Sequence, residues 1–424
     1  MKNPLAHTGA AYRPAMQDWM ARVIGDGTAR LRTDGKLSSA DLHLLSGTGL
    51  AHVTHFLQAA PDGVEGSERS MVATRNPAIT NGMADSGGYQ ASTGVLKLTE
   101  RRQHDMFRFS EAMNSAAILD GPTSSITNPK SKLRSLADCM RFTESNALYA
   151  IQHRVPGKTK LLNVSQGRSQ KESEEWLGAV SQFSDPKIYG ERALDGWAIA
   201  GAARLHFSIQ LRNLIALREN GLLRNSAPIH VLGTGHPEVA CALSAVQSGL
   251  QKTIGEDIQV SFDSATPFIM AGKYKKAFGV PTLNRKSLQM TIAQMPHGDI
   301  YVGSDHPWPV SSPFANRLDL GDLNVRKGDP KSAWDTLSHV LVAVHNVWVM
   351  CRAIALVNHR LSLPSANRNL WLPPRIVELA EIIEEILVRE NSHTMIDQHQ
   401  VLLDMLRHKS RNTKLLEDYG DADR

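Results

Sequence analysis

Asp85-Ser86-Gly87-Gly88-Tyr89-Gln90 places a carboxylate, a hydroxyl, an aromatic ring and an amide within one short stretch. The paired glycines let the backbone turn sharply at little steric cost. The polar groups therefore gather where a preceding apolar run, 78–84, comes to an end. Such a cluster on its own often does no more than finish a strand. It gains weight because later strand-like runs also finish on polar or glycine residues, at Asp120, Gln166-Gly167, Gly201, Gly233 and Asp263-Ser264. Carboxylates brought together out of water are unfavourable unless something partners or uses them. Asp85, Asp120 and Asp263, joined by an amide and bare glycine backbone, would suit acid–base or nucleophilic chemistry. For any one of them the competing account is a helix cap. All three as caps is a weaker account.

The elements that would bring these groups together begin at about residue 71. Short apolar runs at 77–85, 116–120, 160–166, 196–201, 229–233 and 259–263 alternate with helical patterns at 101–115, 131–152, 170–183, 205–220 and 237–254. That rhythm predicts βα units on a parallel sheet. Its regularity favours an α/β fold of the (β/α)8 TIM-barrel type, in which reactive groups collect at the C-terminal ends of the strands. Residues 1–70 read as an N-terminal extension packed on the barrel, and 71–328 as the barrel itself. Residues 329–424 read as a C-terminal helical addition with a basic, then acidic, tail. Within this frame 282–301 resembles a β-hairpin region. Asp329-Pro330 is expected to open a long apolar helix over 331–361, and 375–390 to form a second helix with one apolar face.

The chain has 424 residues and a net charge of +5, with a pI of about 9.0, a balance that suits a polyanionic partner without requiring one. Cys139, Cys241 and Cys351 lie far apart and form no CxxC pair, so a reducing, cytoplasmic setting is expected. Residues 1–21 carry no uninterrupted apolar core of the signal-peptide kind. The longest apolar run, 340–344, is cut by His345 and Asn346 and is too short to cross a bilayer, so no membrane association is expected.

Taken in order, the motifs resemble the tRNA-guanine transglycosylase superfamily, and more closely its DNA-modifying branch of 7-deazaguanine transglycosylases. The strings that carry the resemblance are Asp85-Ser86-Gly87-Gly88-Tyr89-Gln90, Leu119-Asp120, Val164-Ser165-Gln166-Gly167, Asp195-Gly196-Trp197-Ala198-Ile199-Ala200-Gly201, Val231-Leu232-Gly233-Thr234-Gly235-His236-Pro237-Glu238 and Phe262-Asp263-Ser264. They span under half of the chain. The resemblance implies exchange of guanine in DNA for a free 7-deazaguanine such as preQ0, with tRNA as the alternative polymer. It implies Asp263 as the nucleophile at C1′ and Asp85 as the general acid and base. It also implies Tyr89 stacking on the base, with Ser86, Asp120, Gln166, Gly201 and Ala202 reading its edge. Further implications are a cytoplasmic or virus-encoded enzyme and a role in evading restriction. A catalytically silent nucleic-acid-binding paralogue is the competing reading from another class.

The departures from the family pattern are also informative. The tRNA enzymes bind zinc through CxCxxC and a downstream histidine. This chain has no such string, and His345 alone matches the histidine's setting, so no metal or other cofactor is expected and His345 reads as a core or capping residue. The usual Asp-Glu-Cys-Thr is here Asp120-Gly121-Pro122-Thr123, and the usual Pro-Thr-Arg after the nucleophile is here Pro267-Phe268. Lys273, Lys275, Lys276 and Arg168 are candidates for phosphate contact, against the plainer reading of a solvated basic surface. Together these departures favour DNA over tRNA.

Overall fold

Eight short strands pair in parallel and close on themselves in the computed structural model, which describes residues 9–25, 33, 35–60, 69–87, 99–281, 283 and 285–407. They are β1 (Ala11–Met16), β2 (His55–Ala59), β3 (Asn81–Asp85), β4 (Ser115–Ala117), β5 (Lys160–Ser165), β6 (Gly196–Ile199), β7 (Pro228–Val231) and β8 (Gln259–Ser264). Closure is made by β1, which pairs with β2 on one side and β8 on the other. Ala84 pairs with Gln58, and Gln58 with Met16; following the register on through every neighbour returns to β3 eight residues further along. That stagger is the shear of a (β/α)8 barrel, so the expected fold is the observed one.

The helices form because the sequence both caps them and gives them an apolar face. Thr99, Ser135 and Ser169 each accept a hydrogen bond from the amide three residues on, opening α2 (Glu100–Glu111), α3 (Leu136–His153) and α4 (Gln170–Val180). These follow α1 (Asp18–Gly25) in the chain. Next come α5 (Phe207–Glu219), α6 (Pro237–Thr253), which begins at a proline, and α7 (Thr266–Gly272). β3 starts later than the apolar run does, because Asn76 folds 76–80 into a turn. Its side chain accepts from the Ala78 amide at 3.1 Å, and its carbonyl accepts from the Thr80 hydroxyl at 2.7 Å.

One expected boundary is corrected. Residues 1–70 are not an extension outside the barrel, since they contain β1 and β2. Both strands are broken by residues that hide them from a hydrophobicity reading: Arg13 and Pro14 in β1, Gln58 in β2. Pro14 is tolerated at the point where β1 passes from its pairing with β8 to its pairing with β2.

Beyond the barrel, β9 (Lys276–Phe278) and β10 (Ile292–Gln294) form a two-stranded antiparallel sheet, so the hairpin begins before the expected 282. The long helix α8 (Thr336–Leu361) starts at an Asp335–Ser338 capping box rather than at Asp329-Pro330. Asp329 instead makes a turn, its carboxylate accepting from the Lys331 amide at 2.8 Å. By length and composition α8 could cross a membrane, but 72% of its most apolar window is buried in the fold. It packs against α6, α7 and β1, while α9 (Pro374–Val388) packs on α6 and α10 (Ser392–Leu403) on α5.

Candidate active site

The register decides which side chains look into the barrel. Arg13 lies opposite Asp263, and His230 opposite Ser261. Paired residues share a face of a sheet, as do residues two apart on one strand. Arg13, His230, Ser261 and Asp263 therefore face the interior together. Arg13 crosses it to tie three strands: Nη1 donates to the Asn81 carbonyl at 2.8 Å and the Phe56 carbonyl at 3.3 Å, and Nη2 to Asn81 Oδ1 at 3.1 Å. Burial lowers the Arg13 pKa to about 10, against the opposing pull of Asp263. Tyr12 and Phe262 point the other way and pack with ring centroids 5.6 Å apart.

Asp263 is held asymmetrically. Its Oδ1 accepts from the Gly233 amide at 2.8 Å and stands 3.1 Å from His230 Nε2. Oδ2 accepts no hydrogen bond among the described residues. Gly233 adopts φ +68°, a conformation that favours glycine and aims its amide at the carboxylate.

Asp85 ends β3 beside Gly87, whose amide donates to Oδ1 at 3.4 Å. Its pKa is raised to about 7, chiefly by burial and then by the negative charges of Asp263 and Asp120. Both carboxylates thus act on Asp85 through space. Asp120 is buried and raised to about 6 by that burial, against the stabilising hydrogen bond from Gln166 Nε2 at 2.7 Å. Thr123 donates to Gln166 Oε1 at 3.2 Å, which fixes the amide's orientation toward Asp120.

The remaining expected site residues divide. Gly201 adopts φ +59° at the end of β6, where an added Cβ would lie 2.3 Å from the Gly167 carbonyl, so only glycine fits. Ala202 lies beside it, but its amide is already donated to the Gly167 carbonyl at 2.7 Å. Ser86 is buried and borders an apolar cavity between α2, α3 and β4 that includes Met106, Phe107 and Ile118. Tyr89 lies outside the described residues. Lys273, Lys275 and Lys276 follow α7, with the Lys273 and Lys276 ammonium groups 5.6 and 5.5 Å from the Tyr274 ring centroid. Arg168 is differently placed: its guanidinium is engaged by Glu172, with Nε 2.9 Å from Oε2. A phosphate would have to compete with that carboxylate for the guanidinium.

His345 is wholly buried, and both ring nitrogens are used: Nε2 is 2.7 Å from the Phe278 carbonyl and Nδ1 2.8 Å from the Ser312 hydroxyl. Burial lowers its pKa to about 4, so it is a neutral staple between α8 and β9. Among the described residues no three His, Cys, Asp or Glu side chains gather as a metal cage.

Arg13, His230 and Ser261 were not singled out by residue type. Their signal was the period-two placement of polar residues within short buried strands, as in Ile229-His230-Val231 and Ser261-Phe262-Asp263. No protein-family model matches the chain, and no curated protein matches it.

Proposed function

We propose that the barrel mouth exchanges guanine on a nucleic-acid sugar for a free 7-deazaguanine base, through a covalent bond between Asp263 and C1′. The observation that carries this is the contrast between two neighbouring carboxyls. Asp85 is poised near neutrality. Asp263 is held at one oxygen by two partners, while the other accepts no hydrogen bond among the described residues. A nucleophile needs an open oxygen, and a general acid and base needs a pKa near the working pH.

The chemistry balances as two displacements. Asp263 Oδ2 forms a bond to C1′ as the C1′–N9 bond breaks and its electron pair goes to guanine, which takes a proton from Asp85. The incoming base then gives a proton to Asp85 and attacks C1′, and Asp263 departs as a carboxylate. Two inversions restore the original configuration, and the covalent step keeps the nucleic acid attached between bases. A base within a duplex must first be extruded, at a cost of a few kcal/mol. Asp120, Gln166 and Gly201 are suited to reading the base edge. Tyr89 and Ser86 join them by resemblance. DNA is the favoured polymer, supported by the missing CxCxxC string.

The test is exchange of radiolabelled guanine or preQ0 into duplex DNA and tRNA in competition. Label should enter DNA preferentially, and denaturing gels should show a protein–nucleic acid adduct. Asp263→Ala should abolish the adduct, and Asp85→Asn should slow turnover by about 10²–10⁴-fold. No exchange into either polymer, or full exchange by Asp263→Ala, would overturn the reading.

A further inference from the structure

Behind Asp263 Oδ1 lies a polar chain with no part in the two displacements as written. His230 is completely buried, with Nε2 3.1 Å from Asp263 Oδ1 and Nδ1 2.9 Å from Ser261 Oγ. The serine hydroxyl has a second acceptor, the Ile229 carbonyl, but at 3.4 Å. The shorter contact assigns the hydroxyl proton to His230 Nδ1. The ring proton then sits on Nε2, directed at the carboxylate. Burial lowers the His230 pKa, Arg13 lowers it further and Asp263 opposes them, in keeping with a neutral ring.

We infer that His230 is a positioning residue whose Nε2–H, fixed by Ser261 and aided by the Gly233 amide, governs how readily Asp263 leaves the sugar. This rests on the base-exchange reading. Once Oδ2 is bonded to C1′, Oδ1 becomes the carbonyl oxygen of a glycosyl ester. A donor binds a carboxylate more strongly than an ester carbonyl. The His230 and Gly233 donors therefore favour the state in which Asp263 has regained its charge, which helps the second displacement more than the first. Their hold on Oδ1 leaves Oδ2 as the oxygen to bond C1′.

His230→Phe keeps the ring volume and removes the donor, whereas His230→Gln restores an amide N–H near the Nε2 position. With guanine-containing duplex DNA and tRNA as probes, His230→Phe should accumulate the covalent adduct while its turnover falls by about tenfold to a hundredfold, the span of one charge-assisted hydrogen bond. His230→Gln should restore turnover in part, and Ser261→Ala should fall between the two. A purely structural role would slow formation and breakdown of the adduct alike. An unchanged partition in a folded His230→Phe, beside an active wild type, would overturn the inference and leave base exchange standing. A wild type with no exchange would overturn both. The tautomer is tested without substrate by ¹⁵N chemical shifts of the His230 ring in the intact protein, identified by its loss in His230→Gln. A protonated Nε2 and bare Nδ1 near pH 7 are expected; the reverse would overturn the inference whatever the reaction, and whether or not His230→Phe folds.

Discussion

Asp85 shows what a buried carboxyl costs the fold. Its carboxyl titrates at about 7 in the folded chain, against an ordinary value near 4. Between those values the folded state holds a proton that the unfolded state has released, so stability falls as pH rises through that window. Below about 4 both states are protonated and the penalty vanishes; above about 7 it is fully present. Asp120, raised to about 6, acts with the same sign over a narrower window. Asp85→Asn should therefore melt a few degrees above wild type at pH 8 and lose that advantage at pH 4, in paired thermal scans. A lower melting temperature at pH 8 would show that the anion has favourable partners beyond the Ser86 and Gly87 amides. The same group sets the pH–rate profile. If protonated Asp85 must meet the leaving base, kcat/KM for the nucleic acid falls about tenfold per pH unit above about 7. A flat profile from pH 7 to 9 would remove Asp85 from the acid's role.

The elements hold these residues through contacts that the sequence shows unevenly. β1 is fastened at its start by a polar latch: the Ala10 amide donates to Ser244 Oγ at 3.0 Å, Ser244 donates to Asn358 Oδ1 at 2.9 Å, and Asn358 Nδ2 donates to the Ala10 carbonyl at 3.0 Å. All three groups are buried, so α6 and α8 both clamp the strand that closes the barrel. Asn358→Ala strands the Ala10 carbonyl and the Ser244 hydroxyl. It should cost about 2–6 kcal/mol in urea unfolding, since each orphaned buried group costs about 1–3 kcal/mol. A loss below about 0.5 kcal/mol would mean that water replaces the amide. None of this latch is legible beforehand, because its partners are up to 348 positions apart in the chain. Strands β3 to β8 were legible, as both of their faces are covered and they read as apolar runs between turn residues. β1 and β2 were not, because Arg13, Pro14 and Gln58 interrupt them. Arg13 works as an internal tie across three strands, which inverts the rule that charge marks the surface.

At the scale of the whole molecule the barrel's stagger turns distant sequence into one surface, and that is why the acidic trio was legible while its support was not. Strand ends are marked locally by Asp and Gly; the inward ladder of His230 and Ser261 shows only once the register is known. The same geometry separates two kinds of basic residue that composition alone treats as equal. Arg168 is paired with Glu172 at the start of α4, so a phosphate would have to compete with that carboxylate for it. Lys273 and Lys276 flank Tyr274 just beyond α7, the helix that leads away from the Asp263 strand, and Lys275 lies between them. If a nucleic acid at the mouth runs along α7, these three lysines are its candidate phosphate contacts. Each phosphate neutralised adds about one to the slope of log K against log salt. The triple change Lys273→Ala, Lys275→Ala, Lys276→Ala should therefore weaken duplex DNA binding and reduce that slope by about two to three in fluorescence anisotropy across a salt series. Arg168→Ala should leave the slope unchanged. A loss of slope on Arg168→Ala, with none from the triple change, would route the backbone past α4 instead of α7.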